Sequence, residues 1–148
     1  MPDTPRLEAF AGTWHKVGRA LDSPFGPAAA VTAVERFEWL PGGRFLVHRL
    51  DGRLGEAEMA CIEILGADEQ EEGYFAHTYY NDGRQNRWQV EEDGGTWTFR
   101  TELTFDGKPF EVRCRMVFED GGNRLTQKWE YSGGSGWRLF WDTVLTRA

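Results

Sequence analysis

Paired turn residues recur along this chain at short intervals, and they constrain its fold more than any other feature. They stand at Pro41-Gly42-Gly43, Asp51-Gly52, Asp82-Gly83, Asp93-Gly94-Gly95, Asp106-Gly107, Asp120-Gly121-Gly122 and Gly133-Gly134-Ser135-Gly136. Asp-Gly supplies the positive φ angles that tight hairpin turns demand, so each site is read as a reversal of direction. Between the turns the residues alternate. Trp97, Phe99, Thr101, Leu103 and Phe105 fall on one face, with Thr98, Arg100, Glu102 and Thr104 on the other. Phe110, Val112, Cys114, Met116 and Phe118 repeat the pattern against Glu111, Arg113, Arg115 and Glu119. Leu125, Gln127, Trp129 and Tyr131 then oppose Thr126, Lys128 and Glu130. Consecutive strands with one apolar and one charged face describe an antiparallel sheet wet on one side only.

Reading outward from these runs predicts strands near residues 12–19, 31–40, 44–50, 58–65, 74–80, 87–92, 96–105, 110–119, 124–131 and 137–146. The segment 21–30 does not alternate and reads as a lid-like loop or a short helix. No repeat or linker divides the chain, so a single β-barrel domain is expected over residues 1–148. Many short strands must deal with exposed edges, and closing the sheet removes them. The expected fold is therefore all-β, a closed antiparallel up-and-down barrel of eight to ten strands. Seven Trp, ten Phe and four Tyr, many of them on the inward parity, favour that barrel over a thin two-sheet sandwich. Barrels of this size are filled by their side chains or hold one small ligand.

Charge narrows the list of partners. With 17 Lys plus Arg against 24 Asp plus Glu, the net charge is −7, which argues against a nucleic-acid partner, since such binding draws on clustered cations. Cys61 and Cys114 have neither a disulfide framework nor zinc-site spacing and read as free thiols packed in strands. No metal is expected. The first residues carry no apolar run and no stretch is long enough to span a bilayer, so the expectation is a cytoplasmic protein with no membrane association. A homodimer is left open.

The stretch Phe10-x-Gly12-x-Trp14 resembles the opening signature of the calycin superfamily, the lipocalins and their relatives. The Trp39-Leu40-Pro41-Gly42-Gly43-Arg44-Phe45-Leu46-Val47 run, the Asp120–Asn123 turn, the Trp129-Glu130 pair and the ending from Asp142 to Arg147 add to it. Together they are similar to small bacterial lipocalin-like proteins of unknown function. The resemblance implies a calycin barrel in which Arg147, from the last strand, lies across the ring of Trp14 and seals one end. It also raises haem, because the nitrobindins begin with a similar Gly-x-Trp strand and bind haem through a late histidine. Here no histidine follows His77, and no cofactor is expected.

The expected activity is lipocalin-like binding of a small apolar or aromatic ligand in the lumen. Parity alone nominates the binding residues as His48, Glu63, His77, Tyr79, Met116, Gln127, Trp129, Tyr131 and Trp141, with Phe37, Phe99 and Leu103 as further wall. His48 shares a face with Leu46 and Leu50, and His77 shares one with Phe75 and Tyr79; the alternative parity places Arg49, Glu58, Thr78 and Tyr80 inside. The alternative function is a cofactor-free enzyme, a cyclase, isomerase or hydrolase, in which His77, Tyr79 or Glu63 moves a proton. A third reading has the aromatic residues fill the barrel and the protein act through its surface. Sequences for a nucleophile elbow, a phosphate-binding loop or a zinc-protease helix are absent.

Overall fold

The computed structural model describes residues 4–70 and 72–148. Its ten strands are β1 (Gly12–Ala20), β2 (Ala29–Trp39), β3 (Phe45–Leu54), β4 (Ala57–Ala67), β5 (Tyr74–Tyr80), β6 (Gln85–Asp93), β7 (Thr96–Phe105), β8 (Lys108–Glu119), β9 (Arg124–Ser132) and β10 (Arg138–Arg147). Each strand pairs antiparallel with its neighbour in sequence, and β1 pairs with β10. The sheet therefore closes on itself as an all-β barrel, and no edge strand is left to recruit another chain. No helix among the described residues is long and apolar enough to cross a membrane.

The turn signals misplace one hairpin. Asp51-Gly52 lies inside β3, and the reversal comes later, at Gly55, which has φ +61°. Gly52 answers a different need: a Cβ there would stand 2.2 Å from the backbone oxygen of Thr32 on β2. Gly18 is in the same position on β1, where a Cβ would meet the Asp142 oxygen at 2.2 Å. Both glycines let neighbouring strands pack more closely than a side chain would permit.

One end of the barrel is sealed. A short 3-10 helix, Thr4–Phe10, brings Leu7 and Phe10 into the core, where both are buried. These two residues, three apart, lie on one side of a 3-10 turn, a signal too short to register in the sequence. Phe10 makes edge contacts with Trp97 and Phe118, both at 5.0 Å between centroids. Trp14 is fully buried beneath it and donates its indole N–H to the Phe10 oxygen at 2.8 Å. The Arg147 guanidinium lies 4.1 Å from the Trp14 ring and donates to the backbone oxygens of Gly122, Ala11 and Ala9.

The opposite end is roofed on one side only. Residues 21–28 form a loop, not a helix, pinned where Asp22 Oδ1 accepts the Ala28 N–H at 2.8 Å. The loop drops Phe25 into a ring of aromatic edges from four successive strands: Phe105, Phe110, Tyr131 and Phe140. Over the β3 to β6 side no such cap is formed among the described residues, and inward-facing Leu54, Met59, Cys61 and Tyr80 keep part of their surface open to solvent.

Candidate functional site

Strand register assembles a polar row on the barrel's inner wall. Phe37 of β2 lies directly across from His48 of β3, His48 from Glu63 of β4, and Glu63 from Thr78 of β5. Facing residues on adjacent antiparallel strands bring their side chains together, and here the contacts form one connected chain. Lys16 Nζ lies 3.0 Å from Glu35 Oε2. Glu35 Oε1 lies 2.7 Å from His48 Nε2, and His48 Nδ1 lies 3.0 Å from Glu63 Oε1. Thr78 donates its hydroxyl to Glu63 Oε2 and accepts the Trp88 indole N–H at 3.2 Å. Trp88 meets Trp129 edge to face, with centroids 5.5 Å apart. Six consecutive strands, β1 to β6, each contribute a member of this chain, and it reaches across to β9.

Ion pairs and hydrogen bonds, working against burial, decide the charge states. Lys16 and Glu35 are almost completely enclosed, and His48 is 7% exposed. Burial alone would raise the Glu35 carboxyl, but the Lys16 ammonium and the His48 hydrogen bond outweigh it and bring the pKa down to about 2. Burial alone would lower His48; hydrogen bonds to Glu35 and Glu63, together with their charges, raise it instead to about 9. Near neutral pH His48 is therefore an imidazolium with both N–H groups donated to carboxylates. Its ring stacks on Phe37 at 3.9 Å with the planes 4° from parallel, a favourable place for a cation. With both nitrogens engaged, His48 has no lone pair to give a metal or to take up a proton.

Of the residues nominated from sequence, His48, Glu63, Met116, Gln127, Trp129 and Trp141 point inward. Gln127 accepts the Thr143 hydroxyl at 2.9 Å and places its amide 3.4 Å from the Met116 sulfur. Trp129 stands across from Trp141, and its buried indole nitrogen has no hydrogen-bond partner among the described residues. Tyr131 also points inward, but into the Phe25 roof. Phe37 and Phe99 are buried and Leu103 is half-buried.

His77 and Tyr79 are corrected: both lie on the outer face. They stack on each other at 4.6 Å; Tyr79 is 44% exposed, and His77 Nε2 contacts Gln85 at 3.3 Å. β5 carries bulk on both faces, so alternation could not orient it. Its register pairs Ala76 with Trp88, where the small residue makes room for the large one, and sends Thr78 and Tyr80 inward. Arg49 and Glu58, which the alternative parity would have placed inside, are exposed on the outer face.

Lys16, Glu35, Thr78 and Trp88 belong to the chain but were not nominated. Lys16 and Glu35 had a signal. Glu35 shares parity with Val31, Ala33 and Phe37, and Lys16 with Trp14, so each is a charge on an otherwise apolar face. Cys61, across from Tyr80, faces the lumen; burial and the charges of Glu63 and Glu35 push its thiol up to about 12, which leaves it unreactive. Two open depressions on the outside, of about 560 and 600 Å³, lie away from this chain. The first is bordered by Arg6 and Arg147, whose donors are spent on Glu92 and on backbone oxygens.

The sequence matches the family model described as "Protein of unknown function (DUF1579)" over residues 3–147. No curated protein matches it. Among solved structures it is similar to the one titled "Crystal Structure of Rv2717c from M. tuberculosis", at 13% identity and a TM-score of 0.66, covering 100% of this chain and 99% of that one. At that identity the likeness concerns the fold alone.

Proposed function

We propose that this chain, which belongs to the DUF1579 family of proteins of unknown function, binds a small, largely apolar molecule in the barrel interior. One observation carries this reading: the barrel is sealed at the Trp14 end, yet solvent reaches the inner wall from the other, where the Glu63 side chain retains 12% of its surface. A barrel built only for stability gains nothing from an ordered row of charges along an inner wall that solvent reaches. Breaking such a buried ion pair is costly, and replacing it with well-packed apolar residues is often neutral or stabilising. Apolar walls from Met59, Trp88, Trp129 and Trp141 would supply most of the affinity, and the polar row would orient the guest, the usual division of labour in small-molecule sites. Kinship with the lipocalin-like calycins is part of the same proposal, supported by the Gly12-x-Trp14 strand and the Arg147 clasp over it.

Binding is favoured over proton-transfer catalysis. His77 and Tyr79 lie outside the lumen, and His48 is held as a cation, so of the residues proposed to move a proton only Glu63 stands where a substrate could meet it. Native mass spectrometry of the protein purified from its own host tests the proposal. A bound small molecule, released on denaturation, is the expected result; a uniformly ligand-free mass would count against it.

A further inference from the structure

The polar row is ordered by charge as well as connected. From the enclosed side towards the open side it runs Lys16, Glu35, His48, Glu63: cation, anion, cation, anion. The four charges cancel in sum, but the end that meets the lumen is negative. Lys16 and Glu35 are 4% and 2% exposed in their side chains, against 12% for Glu63. Each Glu63 oxygen receives one hydrogen bond, from His48 or from Thr78, and a carboxylate oxygen has capacity for a second. Beside it, Tyr80 has its phenol held above its usual range by burial and by the Glu63 charge, so it stays neutral.

Cations that would hold an anionic head are not placed to do so. Among the described residues the inward-facing cations within the barrel are Lys16 and His48, and both are committed to Glu35 and Glu63. Lys108 and Arg138 are exposed at the rim across the barrel, on strands under the Phe25 roof. Arg113 and Arg115 point outward and share Glu130. A carboxylate entering the lumen would meet the Glu63 carboxylate with both nearby cations already committed, in a low-dielectric setting where like charges repel strongly. The overall charge of −7 adds to that bias.

Resting on the lumen-binding reading above, we infer that the guest is an apolar molecule with a hydrogen-bond-donating head, a primary amine foremost, which donates to Glu63, and that anionic amphiphiles such as fatty acids are rejected. The test uses three ten-carbon probes that differ only in the head: decylamine, 1-decanol and decanoate, titrated at pH 7 and 150 mM salt with intrinsic tryptophan fluorescence as the readout. The amine is expected to bind at least tenfold more tightly than decanoate, with the alcohol between them. Glu63→Gln should remove most of the amine's advantage over the alcohol, whereas Glu58→Gln, on the outer face, should leave it unchanged. Decanoate binding as well as the amine, or an amine advantage that survives Glu63→Gln, overturns the inference while leaving lumen binding intact. If none of the three binds, the lumen reading falls with it. Should Glu63→Gln fail to fold, the order of the three probes on the unaltered protein still decides the matter.

Discussion

His48 Nε2 and Glu35 Oε1 lie 2.7 Å apart inside the barrel, an imidazolium and a carboxylate fixed on neighbouring strands. Their pKa shifts have opposite directions and set both limits of the stability profile. Glu35 falls from 4.5 to about 2 on folding, so its contribution is present above pH 4.5 and is lost as pH drops towards 2. His48 rises from 6.5 to about 9, so its contribution is full below pH 6.5 and is lost as pH climbs through 9. Urea unfolding followed from pH 3 to pH 10, a range set about these limits, should show a maximum between the two, with losses on both sides. His48→Gln should abolish the alkaline decline; an unchanged decline in that variant would contradict the assignment.

Lys16 is the partner that makes a buried Glu35 tolerable. Lys16→Met leaves a carboxylate enclosed with one cation fewer and should cost about 3–5 kcal/mol, as should Glu35→Gln, which strands two cations. The double variant should cost less than the sum of the two by at least about 1 kcal/mol, because the groups are in direct contact. Denaturant melts of the four proteins measure the coupling, and strict additivity would mean the pair is not interacting.

Arg147 holds the sealed end through its face on Trp14 and three backbone acceptors. A cation over an indole is worth about 0.5–2 kcal/mol, and hydrogen bonds from a charged donor add to this. Arg147→Ala should therefore destabilise the protein by at least about 2 kcal/mol in chemical denaturation. A loss below about 0.5 kcal/mol, the range of an ordinary surface change, would remove the clasp from the account.

Phe25 ties the 21–28 loop to the rim. Because it is only half-buried, Phe25→Ala should cost about 2 kcal/mol, less than the 3–5 kcal/mol of a fully enclosed ring. The more specific sign is local: amide exchange in residues 21–28 should accelerate well beyond the global change, while exchange in β4 and β5 follows global stability. Equal acceleration throughout would show that the loop is not an independently anchored roof.

Alternation in the late strands made the barrel legible. Along β7, β8 and β9 one face is apolar and the other charged, so Phe99, Met116 and Gln127 could be turned inward from the sequence alone. The site was less legible because register, not composition, builds it. His48, Glu63 and Thr78 meet because the β3 to β5 pairings place them opposite one another, and no spacing along the chain encodes that. β5 shows the limit most clearly. With Tyr74, Phe75, His77, Tyr79 and Tyr80 spread over both parities, its orientation depends on Ala76 yielding space to Trp88. Lys16 and Glu35 carry the reverse of a motif, a charge set into a strand face that is otherwise apolar.

The most direct test of the interior as a binding site is the response of the indole N–H resonances in a ¹⁵N-labelled sample as 1-decanol is added. Trp88 and Trp129 line the interior and Trp137 lies outside against Arg113, 3.9 Å from its guanidinium. Saturable shifts of the Trp88 and Trp129 signals with Trp137 unmoved are the predicted result. Shifts confined to Trp137, or none at any indole, would contradict the claim that the barrel admits a guest.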